Sequence, residues 1–167
     1  GADWLYNAVV IEEFGRAGAS GPGSAFMVHS EIVAPYIFHG ASEALRREWL
    51  PKMVTGGKIG ALGLTEPHAG SDLQAIRTRA VRDGDDYVIN GRKWFTSGAM
   101  SEDCKLLIVM GKTAPDNPNK HLQQSMVLVP RDTPGIRIIR DMRVFGYNDA
   151  PVGHPEIVAG AGSVALL

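Results

Sequence analysis

The sequence predicts an α+β fold: a short helical segment of an all-α domain, followed by a small antiparallel β-barrel or sandwich domain. Three observations predict it. The first 57 residues carry apolar positions at helical spacing. From Ile59 onward, short apolar or alternating runs are separated by turn residues. Gly56-Gly57 stands between the two patterns. Helices first and strands after argue for two structural units. The expected division is 1–57 helical, 58–157 β, and 158–167 a truncated or atypical tail of small apolar residues.

In the first predicted helix, Asp3 to Arg16, residues Trp4, Ala8 and Ile11 share a face that Leu5 and Val9 extend, with Phe14 near the same stripe. Asp3 can cap its start, and Gly15 and Gly18 lie at its end. Gly21-Pro22-Gly23 reads as a break. Ser24 then caps a second helix, Ala25 to Phe38, apolar nearly all round and expected to be buried between others. Pro35 should kink or interrupt it, because proline has no N–H to donate. Ser42 caps a third helix, Glu43 to Val54, whose stripe is Leu45, Trp49, Leu50 and Met53. Three such helices need partners beyond this chain, so the sequence reads as an internal piece of a longer protein.

The predicted strands are Ile59 to Thr65, Ile76 to Asp83, Tyr87 to Ile89, Arg92 to Ser97, Lys105 to Met110, Ser125 to Val129 and Ile136 to Ile139. Asn90-Gly91 is expected to be a hairpin turn, since both residues tolerate positive φ. Pro115 to Lys120 is expected to be a polar loop.

Composition narrows the function classes. The 167 residues are 44% hydrophobic and 21% charged, the profile of a globular chain rather than a disordered one. Seventeen Lys and Arg against eighteen Asp and Glu give a net charge of −1, with no electrostatic reason to expect nucleic acid or an anionic membrane as partner. One cysteine, Cys104, excludes an intrachain disulfide, and the five scattered histidines form no metal-ligand spacing. The apolar runs are shorter than the ~18 residues that cross a bilayer. A reducing interior is expected: the cytoplasm, or the mitochondrial matrix or peroxisome of a eukaryote.

Two segments carry chemistry. Leu62-Gly63-Leu64-Thr65-Glu66-Pro67-His68-Ala69-Gly70-Ser71-Asp72 runs from an apolar strand into a hydroxyl, a carboxylate and a Gly-Ser-Asp turn. Pro67 ends strand pairing. Gly70 permits a turn with exposed N–H groups that suits phosphate oxygens. Asn90-Gly91-Arg92-Lys93-Trp94-Phe95-Thr96-Ser97-Gly98 sends two aromatics toward two hydroxyls. On a strand the two aromatics would face opposite sides, one packing in the core and the other covering a ligand ring.

Together, in this order and about 25 residues apart, the segments resemble the acyl-CoA dehydrogenases, flavoenzymes that desaturate acyl thioesters. The Thr-Glu-Pro and Gly-Ser-Asp pattern appears as Thr65 to Asp72, and the Asn-Gly-x-Lys pattern with its aromatic and hydroxyl residues as Asn90 to Ser97. Trp49-Leu50-Pro51-Lys52-Met53 and Pro134-Gly135-Ile136 are also similar to the family. The resemblance implies FAD as cofactor and an acyl-CoA as substrate. Leu62, Leu64 and Thr65 would lie beside the isoalloxazine, with Thr65 bonding its edge. Gly70 and Ser71 would approach the cofactor phosphates, and Ser71 would also touch the acyl-CoA. Phe95, Thr96 and Ser97 would face the ring; a one-residue shift in alignment would exchange Phe95 for Trp94.

The resemblance further implies electron-transfer flavoprotein as acceptor, a homo-oligomer, and a catalytic carboxylate on a C-terminal helical domain beyond residue 167. No catalytic residue is therefore assigned here. Glu66 reads as a turn-holding residue. An acyl-CoA oxidase or flavin monooxygenase of the same fold, and a catalytically inactive fragment that only binds a partner, are the alternatives.

Overall fold

The computed structural model of the chain describes residues 3–147 and 153–160. Among them, four α-helices come first: α1 (Trp4–Arg16), α2 (Ser20–Met27), α3 (Ala34–Gly40) and α4 (Glu43–Val54). The strands follow: β1 (Ile59–Gly63), β2 (Arg79–Asp83), β3 (Asp86–Lys93), β4 (Cys104–Lys112), β5 (Gln124–Pro130), β6 (Ile136–Asp141) and β7 (Pro155–Ala159). The α+β class holds. Among the described residues, no helix is long and apolar enough to cross a membrane.

Two helix starts follow their expected caps. The Asp3 carboxylate accepts from the Leu5 amide at 2.9 Å, and Ser42 Oγ accepts from the Leu45 amide at 3.4 Å. The second helix differs from expectation. Helical backbone begins at Ser20, with no break at 21–23, and continues to Gly40. Pro22 falls in the first turn, where its missing N–H has no partner to lose. Ser24, expected as a cap, donates to the Ser20 carbonyl at 2.8 Å. Pro35 is accommodated by a π-helical turn, Val28–Val33, immediately before α3, where the Ala34 N–H reaches back to the His29 carbonyl.

The strands form one curled, mixed sheet in the order β1-β4-β2-β3-β7-β6, with β5 also paired to β4. It is not wholly antiparallel: β1 runs parallel to β4, and Arg79 of β2 pairs in parallel with Lys112 at the end of β4. A parallel pair needs a long crossover, supplied here by the whole excursion through β2 and β3.

The expected Asn90-Gly91 turn is corrected. Both residues lie inside β3, Asn90 opposite Arg79 and Gly91 opposite Ala159. The chain reverses instead at Gly84-Asp85, between the paired Asp83 and Asp86, with Gly84 at φ 63°. Gly91 is needed for a different reason: a Cβ there would collide with the Thr78 side chain. Strand β7, absent from the expected set, pairs with both β3 and β6. Of the expected tail, Val158 and Ala159 belong to β7, and residues 161–167 lie outside the described part.

Alternation along β4 explains the two cores. Leu107 and Val109 point inside the curled sheet, with Ile89, Val127, Val129 and Ile157. Leu106 and Ile108 point to the helices, where they meet Val33, Ile37, Trp49 and Met53. A strand covered on both faces reads as a continuous apolar run, as β4 does. α1 buries no residue fully, and its Trp4, Leu5 and Val9 remain more than half exposed. In the second helical segment Phe38 is more than half exposed and Phe26, Met27, Ile32 and Tyr36 are partly so, and the segment is not buried all round.

Candidate functional site

Both chemistry-bearing segments leave the sheet at the same place. The chain departs from β1 after Gly63, and from β3 after Lys93. The Trp94 amide donates to the Thr65 carbonyl at 2.8 Å, tying one segment to the other. Beside this tie lies an open cleft lined by Leu62, Leu64, Thr65, Phe95, Ser97 and Val28. Its cavity volume is about 170 Å³. Complete small-molecule pockets run to ~300–1,000 Å³, so these residues form a wall rather than a closed site. A second cavity, inside the curled sheet, holds only about 20 Å³ and is almost wholly apolar, too little for a ligand.

Five of the eight predicted site residues line the cleft: Leu62, Leu64, Thr65, Phe95 and Ser97. Phe95 has φ 52°, a left-handed conformation rare for a non-glycine residue. The residue is 41% exposed, and its ring stands edge-on to Trp94, centroids 6.2 Å apart. Phe95 is part of the lining and Trp94 is not. Thr96 is buried behind the cleft, and its hydroxyl finds no partner. Gly70 and Ser71 lie on an exposed turn beyond the Glu66–Ala69 bridge and are not in the lining. Open space surrounds Gly70 where a side chain would be.

The cleft's shape depends on a buried ion pair. Glu66 is 3% exposed and Lys93 is 4% exposed, with Lys93 Nζ 2.7 Å from Glu66 Oε1. The same ammonium donates to the Leu64 carbonyl at 3.0 Å. Glu66 also accepts from the Arg77 amide at 2.7 Å, the Thr78 amide at 3.0 Å and the Thr78 hydroxyl at 2.5 Å. Burial alone would raise the Glu66 carboxyl. Hydrogen bonds from Lys93, Thr78 and the Arg77 amide outweigh it and leave the group below its ordinary value. Burial lowers the Lys93 ammonium, against the pull of Glu66. A carboxylate so fully engaged is a turn-holding group and not a free base.

Sequence reasoning passed over Lys93. Its signal was the alternation of β3, which turns Ile89, Gly91 and Lys93 to one side. It also passed over His154, whose Nδ1 is 2.6 Å from Ser97 Oγ and for which no sequence signal exists. A second buried carboxylate, Glu156, is held between Arg92 and Arg140, the latter at 2.7 Å. The Arg92 hydrogen bond is the leading cause that brings Glu156 down to about 2, with burial opposing and Arg140 assisting. Cys104 is buried, and burial pushes its thiol up, so it is a packing residue. Among the described residues, no group of three or more His, Cys, Asp or Glu forms a metal site.

An apolar wall with hydroxyl and backbone groups beside it suits a flat heteroaromatic ring that is polar along its edge. Leu62, Leu64 and Phe95 are the apolar residues of the lining, and Thr65 and Ser97 carry its hydroxyls.

Residues 1–57 match the acyl-CoA dehydrogenase N-terminal domain, and residues 61–158 match the acyl-CoA dehydrogenase middle domain. A probable acyl-CoA dehydrogenase of Mycobacterium tuberculosis, FadE2, is 54% identical over 117 residues, covering 70% of this chain and 28% of that protein. The chain thus spans under a third of that relative. An acyl-CoA dehydrogenase from Geobacillus kaustophilus superposes with a TM-score of 0.85 at 37% identity, over 98% of this chain and 42% of its own. A glutaryl-CoA dehydrogenase from Mycobacterium smegmatis, solved in complex with FADH2, gives 0.76 at 31% identity, over 96% of this chain and 38% of its own. The chain belongs to the acyl-CoA dehydrogenase family.

Proposed function

We propose that this chain supplies the flavin-facing wall of an FAD-dependent acyl-CoA dehydrogenase, catalysing α,β-dehydrogenation of an acyl-CoA thioester. The observation that carries this reading is the single cleft lined by Thr65 from one segment and by Phe95 and Ser97 from the other. The FADH2 of the Mycobacterium smegmatis neighbour supports FAD as the ligand. Bound FAD would supply the hydride acceptor. The residues of this chain do the rest of what the wall can do. Thr65 and Ser97 offer hydrogen bonds that favour negative charge developing on the ring. Leu62 and Leu64 exclude water, and Phe95 covers one face. Thr96 backs this wall from the core side. The exposed turn at Gly70 and Ser71 takes the cofactor phosphates, and Ser71 also the acyl-CoA. The base that takes the α proton is outside the residues assigned here.

The same reading divides the chain into the end of a helical domain, 1–57, and a β domain, 58–157. It gives electron-transfer flavoprotein as acceptor and a homo-oligomer as the working assembly. FAD titration against the protein, followed by flavin absorbance, tests it. Binding that weakens with Thr65→Val and with Ser97→Ala, but not with the distant Lys120→Ala, is the expected result. Absence of any flavin uptake, or uptake indifferent to both substitutions, refutes it.

A further inference from the structure

We propose that His154 is a positioning residue that sets the direction of the Ser97 hydroxyl toward a ligand in the cleft. The inference rests on the flavin reading and goes beyond it. Ser97 Oγ lies 2.6 Å from His154 Nδ1, while its other contact, the Phe95 carbonyl, is at 3.4 Å. The imidazole is therefore the dominant partner of a hydroxyl that lines the cleft.

The juxtaposition is built into the backbone. The Thr96 amide donates to the Pro155 carbonyl at 3.0 Å, and the Gly98 amide to the Gly153 carbonyl at 3.1 Å. These two bonds lay Ser97 alongside His154. The His154 amide donates to Asp141 Oδ1 at 3.0 Å, and its carbonyl accepts from the Met142 amide at 3.3 Å. Gly153, at φ 56°, lets the chain pass here: a Cβ would lie 2.5 Å from Met100 Sδ and 2.9 Å from Asp141 Oδ1.

A serine hydroxyl has one hydrogen and two acceptor lone pairs. When Nδ1 accepts, that hydrogen is committed to the imidazole and the oxygen faces the cleft as an acceptor. When Nδ1 carries the proton, His154 donates, and the Ser97 hydrogen is released to turn toward the Phe95 carbonyl at 3.4 Å or into the cleft. A flavin ring accepts at its reactive nitrogen when oxidised and donates there when reduced. A hydroxyl whose direction a neighbouring imidazole can reverse serves both states. His154 acts through Ser97 and need not touch the ring.

The test has two arms, both on the whole chain. Without ligand, the ¹⁵N shifts of the His154 ring are compared between the wild type and Ser97→Ala. A displaced Nδ1 resonance is expected; an unmoved one overturns the proposal. With FAD bound, the flavin absorption bands and midpoint potential are measured for His154→Leu, His154→Asn, Ser97→Ala and the His154→Leu/Ser97→Ala double variant. His154→Leu should shift both readouts, and His154→Asn, which keeps a polar atom near the Nδ1 position, should restore most of the wild-type values. In the Ser97→Ala background His154→Leu should add nothing. Equal shifts in the two backgrounds, or no shift with flavin bound, overturn the proposal. A wild type that takes up no FAD fails the flavin reading itself, an outcome distinct from a bound flavin that ignores His154.

Discussion

Replacing Glu66 by Gln removes one charge from a site where both partners are buried. The Lys93 ammonium then keeps the Leu64 carbonyl but loses its counter-charge at 2.7 Å. Breaking a buried pair from one side costs about 3–5 kcal/mol, because the remaining charge stays desolvated. Lys93→Met leaves the carboxylate with the Arg77 amide, the Thr78 amide and hydroxyl, and His68 Nε2 at 3.4 Å, and should cost less. The double variant Glu66→Gln/Lys93→Met leaves no unpaired charge. Its cost should therefore fall short of the two single costs combined by about 1–3 kcal/mol, as for residues in direct contact. Urea unfolding at neutral pH, followed by tryptophan fluorescence, measures all three. A Glu66→Gln cost below about 1 kcal/mol, or strict additivity, would refute the reasoning. The same pair ties Leu64 to β3, so flavin uptake should weaken in the single variants as well.

Gly91→Ala should destabilise the chain by roughly 1–3 kcal/mol through collision with Thr78, read as a lower denaturation midpoint. Glu156 is brought from 4.5 to about 2, so its contribution to stability is present above about pH 4.5 and is lost as pH falls through 2. Unfolding midpoints between pH 2 and 6 should show that acid limb, and Glu156→Gln should flatten it. Ser97→Ala should weaken flavin binding by about two- to tenfold, the worth of one hydrogen bond of ~0.5–1.5 kcal/mol, in an equilibrium titration.

How far the sequence reached depends on the range of the interactions involved. The caps at Asp3 and Ser42 were legible because each involves a side chain and an amide two or three residues apart. The apolar run of β4 was legible because both its faces are covered. Asn90-Gly91 misled because glycine there answers to Thr78, a neighbour in space across the sheet, while Gly84-Asp85 makes the turn. The parallel pairing of β1 with β4 leaves no local trace. Thr65, Phe95 and Ser97 were singled out through motif resemblance, and all three line one cleft. Lys93 and His154 were missed because their roles arise only when distant segments meet, Lys93 with Glu66 and Leu64, and His154 with Ser97.

A crystal structure of this protein grown with FAD is the decisive measurement. Density for the three-ring system against Leu62 and Leu64, with its polar edge at Thr65 and Ser97 and one face under Phe95, is the predicted result. Flavin density elsewhere on the β unit, with that wall left bare, would contradict it.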